Sequence, residues 1–269
     1  MREFVSIEKD PPTTGARVRG VAVIQLNRPP LNAMNSVLQA ELIAAADEVG
    51  ADPEVRAVVL LGGARAFAAG ADIKEFAPKT LVDHMRTSHA ISRVCSAVAA
   101  IPQPVIAATT GYVLGGGFEL ALAADFRVSA PGATWGLPEV RLGLFPAAGG
   151  TQRLPRLIGT ARAKRLIYSG RPISAETALH IGLVDEIAEG SDVLAAALDL
   201  ASEFISHPPL AVRQAKAAID IGAQIDLSSA LQLETRLAHP LLATEDTQAA
   251  IDLFVQHGPK ATPPDYHGR

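Results

Sequence analysis

Two acidic residues carry the chemistry of this chain: Glu119 in GYVLGGGFELALAAD and Glu139 in WGLPEVRLGLFPAAGGTQRL. They are twenty positions apart, each beside a glycine-rich or proline-marked turn. Two carboxyls brought to one pocket can divide the labour of a reaction, one taking a proton while the other gives one. Spacing alone leaves open that each sits on its own solvated surface. The backbone written around them is what suggests a shared site.

Gly115-Gly116-Gly117 falls between a short apolar run and a helical pattern, and three glycines let the chain bend sharply and a ligand come close. A helix start there offers unpaired amides and the positive end of the dipole. Both suit an anion, or an oxygen that becomes anionic during reaction. A tight strand-to-helix turn with no ligand would use the same glycines. The G-x-G-x-x-G spacing of a dinucleotide fingerprint is absent. A second small-residue loop lies in AFAAGADIKEF, Ala66 to Phe76, where Gly70 frees the backbone to present the Ala71 amide. An ordinary βα loop would also fit that composition. Two such loops after parallel strands should meet at one edge of a sheet, where ligands of open α/β sheets bind.

The elements that must hold these loops alternate. Val18 to Leu26 reads as a strand, and Ser36 as the N-cap of a helix through about Val49. Arg56 to Leu61 and Pro104 to Thr109 are apolar runs suited to buried parallel strands. A helix is expected over Leu81 to Ala100 and another from Gly117 to about Ala124, followed by strands at Phe126 to Ser129 and Ala133 to Trp135. Beyond Gly150 the pattern turns helical: Thr151–Ile158, Ala161–Tyr168, Ala175–His180, Val193–Ile205, Leu210–Gly222, Leu227–Ala238 and Glu245–Gln256. The reading is an α/β core over residues 1–200 and an all-helical region over 201–269. The apolar stripes of that tail need a partner, in the same chain or in a neighbouring subunit.

Composition narrows the classes. Of 269 residues 48% are hydrophobic, enough for a large core, so disorder does not fit. A net charge of −4 argues against nucleic-acid binding, which normally leaves a basic face. The cluster Arg153, Arg156, Arg162, Lys164, Arg165 and Arg171 reads as a solvated helix face. Cys95, the only cysteine, excludes an intrachain disulfide and reads as a small buried thiol. Trp135, Phe145 and Phe118 are expected in the core. No His/Cys spacing suggests zinc, and MREFVSIEKD has no apolar run of the secretory kind. Apolar runs such as AVVLL are too short to span a bilayer. A cytoplasmic, soluble protein is the expectation.

AFAAGADIKEF, GYVLGGGFELALAAD and GLPEVRLGLFPAAGGTQRL resemble the three signatures of the enoyl-CoA hydratase/isomerase (crotonase) superfamily. The similarity runs in order from about Val18 to the C-terminus, through SGRPISAETALHIGLVDEI. It implies a crotonase-like spiral of β-β-α turns with a C-terminal helical region used in trimer assembly, commonly as a dimer of trimers. The amides of Ala71 and Gly116 match the family's oxyanion hole, which grips the thioester carbonyl of an acyl-CoA. Ala69, Ala71, Asp72, Ile73 and Lys74 match the stretch along the pantetheine and adenine end. Glu119 matches the glutamate that activates water and Glu139 the one that supplies the proton. Retaining both favours hydration of a 2-enoyl-CoA in fatty acid degradation or a related pathway, a lyase reaction. A Δ3,Δ2-enoyl-CoA isomerase and a non-catalytic acyl-CoA-binding or scaffold subunit are the alternatives. No metal or redox cofactor is implied, because coenzyme A belongs to the substrate. One departure is Ala147, where many hydratases have a glycine whose amide helps seat the water.

Overall fold

The computed structural model describes residues 2–12, 18–75, 80, 82–83, 90–190, 192–259 and 264–269. Its front half runs β1 (Val5–Lys9), β2 (Val21–Leu26), α1 (Ser36–Ala51), β3 (Ala57–Leu61), β4 (Ala66–Ala68), α2 (Ala90–Ala99), β5 (Val105–Thr109), β6 (Tyr112–Leu114) and α3 (Gly116–Ala121). Then follow β7 (Phe126–Ser129), β8 (Thr134–Gly136), α4 (Gly150–Ile158), α5 (Thr160–Ser169), β9 (Ile173–Ser174), α6 (Ala175–His180) and β10 (Glu186–Ile187). The chain ends on α7 (Val193–Ile205), α8 (Pro209–Gly222), α9 (Leu227–Ala238) and α10 (Glu245–His257).

Nearly every side chain of β2, β3 and β5 is buried. Successive strand residues point to opposite faces, so both faces of their sheet must be covered. Ile24, Leu60 and Ala107 enter a main core on one face. Val23, Val59 and Ile106 enter a second core on the other, closed by Ala197, Leu198 and Ala201 of α7. This six-stranded sheet has the order β1-β2-β3-β5-β7-β10 and is parallel except for β1. A four-stranded sheet, β4-β6-β8-β9, is parallel except for β9.

Chain order explains the pairing. β3, β5 and β7 join the large sheet, and the strand after each, β4, β6 and β8, joins the small one. A helix separates the first two such turns, α2, and the second two, α3. This is the expected spiral of β-β-α turns. The two loops do meet at one sheet edge, as read from sequence, but that edge belongs to the small sheet and not to the buried runs β3 and β5. The Ala69–Asp72 and Gly115–Gly117 loops follow β4 and β6, adjacent parallel strands of the small sheet.

Several local readings change. The cap of α1 is Asn35, whose side chain accepts from the Leu38 amide, while Ser36 is the first helical residue. β2 starts three residues later than expected because Gly20, at φ +81°, turns the chain immediately before it. Of the expected helix over residues 81–100, Ala90–Ala99 is seen and Val82 and Asp83 are helical, while 81 and 84–89 lie outside the described residues. α3 stops at Ala121, where tight turns bring the Asp125 amide onto the Val105 carbonyl. In the tail, Lys216 of α8 pairs with Asp125 at 2.6 Å and Arg213 donates to the Val55 carbonyl. α9 buries none of its residues, and Leu227, Phe254 and Val255 stand exposed. Among the described residues no helix is long and apolar enough to cross a membrane.

Candidate active site

The site is assembled on the ends of β4 and β6. Asn32, buried between β2 and α1, donates to the carbonyls of Ala66 and Phe67 and accepts from the Arg28 amide. Arg28 in turn pairs with Asp72 at 2.7 Å and donates to the Ala33 carbonyl. Across this brace the Met34 amide donates to the Gly70 carbonyl and the Asp72 amide to the Met34 carbonyl. In such a parallel bridge the intervening Ala71 amide turns away from Met34. Gly70 has φ +94°, and a Cβ placed on it would lie 3.2 Å from the Gly116 nitrogen. The two loops are therefore pressed together.

Gly117 shows how closely. A Cβ there would fall 2.0 Å from the Ala68 carbonyl oxygen, so no other residue lets α3 start against the end of β4. The Glu119 amide bonds to the Gly115 carbonyl, which leaves the Gly116 amide without a partner inside the helix. Ala71 and Gly116 thus carry their amides on apposed backbone, as an oxyanion pair requires. Of the other matched residues, Ala69 and Asp72 are half-buried on the same loop, and Ile73 and Lys74 are exposed at its rim.

The two carboxyls come from different elements, α3 and the turn after β8. Glu119, 3% exposed, projects from α3, and its Oε1 accepts from the amides of Ala148 at 2.6 Å and Gly150 at 2.8 Å. Burial pushes its pKa up; the Gly150 and Ala148 hydrogen bonds and the charge of Arg153 oppose that push, and the balance stays above the usual value. Glu139 opens a short 3-10 turn, Glu139–Leu142. Its Oε1 faces Gly115, 3.1 Å from where a Cβ would be, and its Oε2 is buried with no hydrogen-bond partner among the described residues. Burial, reinforced by the Glu119 charge, pushes the Glu139 carboxyl up to about 7.

The neighbours divide into core and rim. Phe118 packs edge-on against Trp135 at 5.4 Å, both fully buried, so Phe118 belongs to the core as expected. Phe145, expected there too, is 62% exposed, because it sits in the loop after Glu139 with exposed Leu142 and Leu144. The Cys95 thiol is pushed up to about 12, first by burial and then by Glu119, and is no nucleophile. Arg156, Arg162, Lys164, Arg165 and Arg171 are exposed, whereas Arg153 is half-buried beside Ala148. Sequence reading singled out Ala147, which is exposed, but the amides holding Glu119 are those of Ala148 and Gly150. The signal for them was the glycine pair opening α4. Among the described residues no group of three or more His, Cys, Asp or Glu is gathered as metal ligands would be.

Known proteins resemble this chain in sequence and fold. A profile of the enoyl-CoA hydratase/isomerase family matches residues 16–262. A short-chain-enoyl-CoA hydratase of Clostridium acetobutylicum is 41% identical over 217 residues, 80% of this chain and 83% of its own. The crystal structure of an enoyl-CoA hydratase from Bacillus anthracis is similar at a TM-score of 0.91 with 39% identity, over 99% of this chain and 100% of that one. An enoyl-CoA hydratase structure from Mycobacterium smegmatis gives a TM-score of 0.88 at 25% identity, over 97% and 98%. With its β-β-α spiral, its paired loops and its match along nearly the whole length, the chain belongs to the enoyl-CoA hydratase/isomerase family of enzymes.

Proposed function

We propose that the protein adds water across the 2,3 double bond of a 2-enoyl-CoA to give the 3-hydroxyacyl-CoA. The observation that carries this reading is the unequal pair of carboxyls. Glu119 is gripped by two amides, while Glu139 has a buried oxygen with no partner and a carboxyl pushed up to about 7. At neutral pH such a pair favours one carboxylate and one carboxylic acid.

The thioester carbonyl docks on the amides of Ala71 and Gly116. As water attacks Cβ, electrons move through Cα onto that oxygen, and the two N–H donors stabilise the enolate-like charge. Losing one donor of this kind costs about 2.7–4 kcal/mol. Glu119 takes the proton of the attacking water and Glu139 delivers its proton to Cα; a final transfer between them restores both. The thioester is the electron sink, so the reaction calls on no metal or redox cofactor. Ala69, Asp72, Ile73 and Lys74 would line the coenzyme A side.

In this reading residues 1–200 hold the site and 201–269 serve assembly into a homotrimer or a dimer of trimers. The bare face of α9 and the exposed Leu227, Phe254 and Val255 support that. Acyl-CoA degradation in the cytoplasm is the setting proposed. Crotonyl-CoA and longer 2-enoyl-CoAs, followed by loss of the conjugated absorbance, test the reaction. Hydration is expected. Conversion of 3-enoyl-CoAs alone would make the protein an isomerase, and binding without either would make it a scaffold. Deleting residues from Leu227 onward should break the oligomer, and a truncated chain that still sediments as the full assembly would refute the role given to the tail.

A further inference from the structure

Arg153 stands apart from the basic cluster to which its sequence position assigns it. Its amide donates to the Gly149 carbonyl at 2.7 Å and its Nη1 to the Ala148 carbonyl at 3.3 Å. Gly149 has φ +118°, and a Cβ on it would fall 2.2 Å from Arg153 Nη1. The guanidinium therefore fills the space where a side chain at residue 149 would be. The turn is held from both sides. Ala148 gives its N–H to Glu119 and its carbonyl to Arg153.

We propose that Arg153 is the positioning residue that designates Glu119 as the base of the pair, bracing the Ala148–Gly150 turn and supplying the positive charge opposite the carboxylate. The role given to Glu119 rests on the hydration reading. Among the described residues, the groups facing Glu119 are the Ala148 and Gly150 amides at the start of α4, the Glu139 carboxyl, the Cys95 thiol and Arg153. Of these only Arg153 is a full cation, and its charge favours ionised Glu119. The helix dipole of α4 acts in the same direction. Among the described residues no cation and no amide of another residue lowers the Glu139 carboxyl, only its own amide does, and its Oε2 has no partner. Arg153 thus acts on one member of the pair, and it adds to the asymmetry that the Gly150 and Ala148 amides establish, directly by its charge and indirectly by holding their turn.

Full-length Arg153→Gln and Arg153→Lys test this through the pH dependence of kcat/KM, which reports the free enzyme. With Arg153→Gln the acid limb should rise by about one pH unit, since loss of an opposite charge at close range moves a carboxyl by that order. Its kcat should fall about tenfold or more, as removal of general-base efficiency allows, with KM little changed. Arg153→Lys keeps the charge but not the planar fork, so its limb should stay near that of the parent while kcat falls. An unmoved limb in Arg153→Gln would overturn the proposal. If that variant does not fold, a raised limb or an unreduced kcat in Arg153→Lys would overturn it equally. Infrared titration of the Glu119 carboxylate in a Glu139→Gln background needs no turnover: adding Arg153→Gln should raise its midpoint by about one pH unit, and an unmoved midpoint would overturn the proposal. It keeps failure of this proposal distinct from failure of the hydration reading, which the unmodified protein tests alone.

Discussion

Glu119 and Glu139 are the same chemical group in one site, and their surroundings differ in almost every respect. Glu119 is the more buried, yet two amides at the start of α4 meet its Oε1. Glu139 is less buried, but its Oε2 finds no donor and its carboxyl is pushed up to about 7. Depth of burial therefore does not decide which carboxyl keeps its proton. Donors do, because a hydrogen bond to the charged form offsets the loss of solvent. A fold that gives one acid two amides of a neighbouring turn and leaves the other with only its own has assigned a base and an acid.

The largest test removes either member. Glu119→Gln and Glu139→Gln should each lower kcat by about 10²–10⁴-fold, the range general acid–base catalysis supplies, while CoA esters still bind. Near-normal turnover in either variant would end the two-carboxyl account. Gly150→Ala sharpens the contrast more gently. It keeps the amide but places a methyl 2.6 Å from Pro146 Cβ and 3.0 Å from Glu119 Oε1, so the carboxylate must shift. About a tenfold loss of kcat is expected, equivalent to ~1.4 kcal/mol. A wild-type rate would show that the grip on Glu119 is unimportant. The smallest effect belongs to Cys95→Ala, which removes a neutral buried thiol near Glu119. Stability should fall by about 1 kcal/mol in thermal unfolding, with the pH profile unmoved. A displaced profile would mean that the thiol helps to set the pair.

Much of this site was legible because its chemistry is written in backbone. Gly117 cannot carry a side chain against the Ala68 carbonyl, and Gly70 must turn with a positive φ, so those glycines mark the junction in any reading of the chain. The buried runs of β3 and β5 were equally plain. The second sheet was not, since β4 and β6 span three residues each, too few for alternation to show, and of its strands only β8 was read, as Ala133 to Trp135. Arg153 was hidden by its neighbours, as a half-buried arginine among exposed ones has no pattern of its own. Phe145 misled because an aromatic residue is usually buried, and nothing local reveals that its loop stands off the core.

The pH dependence of kcat/KM for hydration of crotonyl-CoA tests the division of labour most directly. Glu119 must be ionised to take a proton, so activity rises as pH climbs through the lower limb. Glu139 must be protonated to give one, so activity is present below its pKa and lost as pH rises through about 7. The two limbs belong to the coupled pair. The account predicts a bell whose descending limb lies near neutrality and disappears in the residual activity of Glu139→Gln. A rate that stays level far above neutral pH, or a descending limb that survives Glu139→Gln, would contradict it.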